Sequence, residues 1–161
     1  MNIIRKQIVY LIIIIISLVY VPVSAQIAVV VNDSSSVSDL SMEELKRIYM
    51  GKTTVIPDNE PIVLLEFCYL KEKFYDIVLD MSPLKVKKYW MKMVFSGEYA
   101  TPPVPHRNIK DIKNVICENK GAICFLQLSD VGDCMNVLTI DGKKPEDEDY
   151  PLRYQSVLDK R

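Results

Sequence analysis

One stretch constrains the fold more than any other: Ile27 to Ile62, IAVVVNDSSSVSDLSMEELKRIYMGKTTVIPDNEPI. Ile27 to Val31 is a mostly β-branched apolar run, which suits a strand covered on both faces. Ser41 stands three residues ahead of Glu44, the spacing of a capping box, and Leu40 can staple onto Leu45. Leu45, Ile48 and Tyr49 then fall at i, i+3 and i+4, so one helical face packs on a sheet. Gly51 follows where a left-handed closing residue is wanted. Asp58-Asn59 reads as a turn, and Ile62 to Leu65 as a second strand. Strand, crossover helix and strand form the unit of an α/β domain.

The rest of the chain repeats the alternation. Helices are predicted near 41–50, 71–80, 83–95 and 108–119, with strands at 122–126 and 137–140. Ser82-Pro83 caps and opens the third helix, whose stripe is Val86, Tyr89, Trp90, Met93 and Val94. At that spacing Tyr89 and Trp90 are core residues rather than a stacking platform for a ligand. ATPPVP, from Ala100 to Pro105, is an extended linker. His106 beyond it is a surface loop residue, and Asn108 caps the fourth helix.

The first 25 residues have the layout of an export leader. Arg5 and Lys6 precede an apolar run from Ile8 to Val19, and Val23-Ser24-Ala25 supplies small residues for cleavage. The run is shorter than the ~20 residues of a bilayer span, and Pro22 breaks it. Residues 1–25 are therefore expected to be a signal peptide and 26–161 one periplasmic domain. Loss of Arg5 and Lys6 takes 20 basic residues to 18, against 21 acidic, for a net charge of −3. With basic blocks of at most two residues, no nucleic-acid partner is expected. Paired carboxylates, nucleophile motifs and metal spacings are missing, so the reading is not an enzyme and needs no cofactor or metal.

Several motifs, taken in order, resemble phosphate-type substrate-binding proteins of ABC transporters. They are Val30-Val31-Asn32, Leu40 to Leu45, Ile48 to Lys52, Pro61-Ile62, Gly121-Ala122-Ile123 and Tyr150-Pro151-Leu152. The resemblance implies a type 2 periplasmic-binding-protein fold, here a mostly parallel or mixed sheet flanked by helices and truncated relative to two lobes. It also implies a small anion such as phosphate as ligand, and a membrane transporter or sensor as partner. Where the family carries Arg-x-Asp-Gly-Ser-Gly-Thr, this chain has Glu66-Phe67-Cys68-Tyr69-Leu70-Lys71.

An anion site is expected at the mouth formed by Asn32, Ser34, Ser35 and Ser36 with the helix start at Lys71. The serines offer hydroxyls, and the helix start offers free amides and partial positive charge. A second wall would come from a homodimer or a partner protein. The alternative is an interaction or sensory accessory module that keeps the fold without the phosphate site. Of Cys68, Cys117, Cys124 and Cys134, the pair flanking the Gly121 turn, Cys117 and Cys124, is the preferred disulfide. Buried free thiols are the other reading.

Overall fold

A computed structural model describes residues 24–57, 59–98 and 100–155. Residues 1–23 of the expected leader, and Asp58 of the expected turn, lie outside the described residues. Among the described residues the strands are β1 Ser24–Asn32, β2 Asp39–Leu40, β3 Val63–Phe67, β4 Val104–His106, β5 Ala122–Gln127, β6 Met135–Val137, β7 Thr139–Ile140 and β8 Arg153–Gln155. The helices among them are α1 Met42–Tyr49, α2 Lys71–Leu79, α3 Pro83–Phe95 and α4 Ile109–Glu118. The fold is α/β, as the alternating patterns require.

The main sheet runs β4-β3-β5-β1-β6, with β8 also on β1. β3 lies parallel to both β4 and β5, whereas β1 is antiparallel to β5 and β6. This corrects the expected β1–α1–β3 crossover: β5 stands between the two strands, and they run in opposite directions. The apolar run that suggested a parallel strand is buried for a different reason. β1 is interior to the sheet, paired along both edges, and Ile27 to Val30 are each 0% exposed.

Local signals held where the chain supplied its own partners. Ser41 and Glu44 form the full capping box of α1, Ser82 caps α3 and Asn108 caps α4. α1, α2 and α3 pack in succession, while α4 packs on β5, β3, β4 and β6. Phe74 of α2 stacks on Phe125 of β5 with ring centroids 3.9 Å apart, and Tyr49 of α1 meets Phe74 edge-on at 4.7 Å. The expected strand 137–140 is split at Leu138 into β6 and β7, and β7 leaves the main sheet to pair with β2. His106 is no loop residue either: it ends β4, half-buried, opposite Phe67.

Gly51 has φ +67°, and a Cβ there would lie 2.5 Å from Trp90 Cη2. Tyr89 binds the same corner, donating its hydroxyl to the Met50 carbonyl at 2.7 Å. Gly51→Ala therefore meets both left-handed strain and a clash with a buried ring. A loss of at least about 2 kcal/mol is expected in urea unfolding.

The capping box carries a pH signature. Hydrogen bonds from the Ser41 hydroxyl and amide hold the Glu44 carboxyl below its ordinary value. A depressed carboxylate stabilises the fold above its unfolded pKa and loses that contribution as pH falls through its folded one. The Tm difference between the wild type and Glu44→Ala should accordingly be present at neutral pH and shrink as pH falls below about 4.

Candidate functional site

In open α/β sheets, ligands sit in the crevice beyond the carboxyl ends of strands where connections diverge. Here the path from β3 runs outward through α2 and α3 to β4, then back through α4 to β5 on the other side of β3. Right-handed crossovers place those two connections on opposite faces. By that rule the ligand end of the sheet lies at the ends of β3 and β4, at Phe67-Cys68 and His106-Arg107. The Cys68 N–H donates to the His106 carbonyl at 2.9 Å and stitches the two strand ends together.

α2 starts at this point. Its cap position is Leu70, which has no side chain able to accept a hydrogen bond, so the first-turn amides lack the side-chain cap of the other three helices. Lys71, in that first turn, does not project as an isolated cation. Its Nζ donates to Glu66 Oε1 at 3.2 Å, and Tyr75 donates its hydroxyl to Glu66 Oε2 at 2.6 Å. Burial, then the contact with Glu66, raises the Tyr75 phenol far above its ordinary value, so it stays a donor. The Glu66 side chain is only 13% exposed. Glu66 thus takes the donors that an external anion would use.

The expected partners of Lys71 are elsewhere. Val31 and Leu64 both pair with Ile123, so the end of β1 is level with the start of β3. Asn32 and Ser34 to Ser36 follow that end of β1, whereas Lys71 follows the far end of β3. The antiparallel course of β1 is what separates the two halves of the expected anion mouth. Lys71 lines a groove of about 720 Å³ and Ser36 a different one of about 790 Å³, with no lining residue in common.

Asn32, Ser34 and Ser35 of the serine loop are also committed locally. Asn32, 4% exposed, donates to the carbonyls of Ile116 at 2.6 Å and Cys117 at 3.2 Å. Its Oδ1 accepts from the Ser34 N–H at 2.8 Å and from the Ser34 hydroxyl. Ser35 Oγ accepts from the Val37 N–H at 3.3 Å. Asn32 is a clamp between β1 and the end of α4 rather than an open donor. Replacing it with leucine strands both carbonyls, and a loss of about 1–3 kcal/mol in urea unfolding is expected.

The disulfide is Cys117–Cys134, with Cα atoms 5.4 Å apart, and not Cys117–Cys124. Cys124 lies inside β5 opposite Val30, fully buried, and burial pushes its thiol well above the ordinary range. Cys117 instead lies in the last turn of α4, bonded to Cys134, whose carbonyl accepts from the Asp33 N–H at 3.0 Å. Cys68 is also free. Glu66 and Tyr75, missed in the sequence, sit nine residues apart in β3 and α2. No local pattern announces such a pair.

The fold matches solved phosphate-binding proteins of ABC transporters. One, described as a phosphate ABC transporter substrate-binding protein with bound phosphate, from Clostridium perfringens, is 22% identical with a TM-score of 0.60; the match covers 76% of this chain and 47% of that one. A phosphate transport receptor from Vibrio cholerae is 16% identical, TM-score 0.62, over 84% and 59% of the two chains. PstS from Borrelia burgdorferi is 9% identical, TM-score 0.64, over 82% and 55%. The chain spans about half the length of these structures. No protein-family model matches it, and the curated proteins return no match.

Proposed function

We propose that this chain is an exported binding module of the phosphate-receptor type, taking a small oxyanion at the start of α2. The observation that carries the reading is the start of α2 itself: it lacks a side-chain cap, carries Lys71, and opens at the crevice beyond β3. Free first-turn amides and the positive end of the helix dipole attract an anion there. A protein of the same fold holds phosphate, which supports the ligand class. The leader, cleaved after Ala25, and the Cys117–Cys134 disulfide both fit an oxidising, periplasmic location.

Affinity is weak in the isolated chain, because the anion competes with Glu66 for Lys71 and each exposed hydrogen bond nets only ~0.5–1.5 kcal/mol. A second wall from a transporter subunit, a sensor or a second copy strengthens it. One observation favours the other reading, an accessory module without an oxyanion site: Glu66 already satisfies Lys71 and Tyr75 from within.

Calorimetry with phosphate and sulfate separates them. Glu66→Gln removes the competing charge while keeping a Tyr75 acceptor, and should tighten anion binding by about tenfold. Lys71→Ala in that background should abolish the gain. No heat with either anion in Glu66→Gln leaves the accessory-module reading standing.

A further inference from the structure

α3 has a face that the fold leaves uncovered. Leu84, Met91, Val94 and Phe95 are 61%, 49%, 53% and 83% exposed, although Val94 reads as core in the sequence. Leu84, Met91 and Phe95 follow one another at i+7 and i+4, so they form a stripe along one side of the helix. The same helix carries Lys85, Lys87, Lys88 and Lys92, all exposed, and no acidic residue. Among the described residues, none of these lysines has an ion-pair partner. In a chain with formal net charge −1, this is a local concentration of positive charge.

The stripe lines the groove of about 720 Å³ together with Pro102, Pro103 and Pro105. Trp90, 4% exposed, also lines the groove, and its indole N–H has no hydrogen-bond partner.

We infer that this groove receives an acidic amphipathic helix of a partner protein. Five features select that occupant. Apolar anchors at i, i+3, i+4 and i+7 of a helix fit a concave apolar wall. Carboxylates on its flanks would meet the α3 lysines, which steer and orient it. A strand is disfavoured, because β4 is the sheet edge and Pro105 offers no N–H for pairing. A second copy of this chain is disfavoured, because a two-fold contact through α3 sets lysines against lysines. The concavity also selects against a lipid surface. The inference goes beyond the oxyanion reading and stands whether or not an anion binds at α2.

Trp90 is the chain's only tryptophan and reports on the groove directly. The test titrates the protein with a synthetic amphipathic helix bearing leucines on one face and glutamates on the flanks. A saturable change in Trp90 fluorescence that weakens as salt is raised is expected. The same peptide with lysines in place of glutamates should bind at least about tenfold more weakly. Met91→Asp with Phe95→Asp changes exposed positions only, so the variant should melt normally and lose peptide binding by about tenfold or more. Lys87→Glu with Lys88→Glu should weaken the acidic peptide and strengthen the basic one. The inference is overturned if the acidic peptide gives no signal, or if both peptides bind alike. It is equally overturned if phosphatidylglycerol vesicles shift the signal and the acidic peptide does not, which would assign the face to lipid. Met91→Ser with Phe95→Ser adds no charge to the groove that Lys71 lines, so its phosphate titration should match wild type while peptide binding is lost, and failure at one site is distinguishable from failure at the other.

Discussion

The placement of β1 is the constraint on which the other elements depend. Five consecutive residues, Ile27 to Val31, are at most 1% exposed, so the strand must be covered on both faces and paired on both sides. The chain meets that demand with segments that come late in the sequence. β5 pairs along one edge of β1 and β6 along the other, while Leu152 accepts from the Ile27 N–H at 3.4 Å. The centre of the sheet is thus closed by contacts of high sequence separation. Folding cannot complete until residues beyond 122 are in place.

The same placement decides what was legible in the sequence. Ser41 with Glu44, Ser82 with Pro83, Asn108 and Gly51 act on neighbours within four residues, so their roles followed from spacing alone. The four helices came out within a residue or two of their expected ends. Strand direction, the β6–β7 break and the Cys117–Cys134 bond depend on which distant segments meet, and no local pattern carries that. The serine loop shows the consequence. Its chemistry suited an anion, but reversing β1 relative to β3 moved it to the opposite end of the sheet from Lys71. Asn32 likewise read as a ligand donor because sequence cannot show that α4 would end beside it with two carbonyls to satisfy.

At the crevice, two features of the helix start pull in opposite directions. The uncapped amides of α2 and the dipole favour an anion, and Glu66 supplies one permanently from the preceding strand. Glu66 is attached to β3, so it pays no translational entropy to reach Lys71, whereas a free oxyanion does. Tyr75 strengthens Glu66 further: a phenol kept protonated by burial can only donate to the carboxylate. In the isolated chain the internal carboxylate therefore wins at low anion concentration. An external anion gains only if a second wall excludes water and adds donors that Glu66 cannot reach.

That argument joins the crevice to the groove beside it, because Glu66, Lys71 and Tyr75 line the wall of the same groove that α3 and the prolines enclose. A partner helix seated there would remove water from the Glu66–Lys71 pair. Lower local dielectric strengthens the pair's mutual attraction but raises the cost of any charge left unmatched. An acidic partner placed too close to Glu66 would meet repulsion, while the same partner held over the α3 lysines would not. For the acidic helix we infer, a carboxylate beside Lys87 is matched, whereas one beside Glu66 meets a charge of its own sign in the same groove.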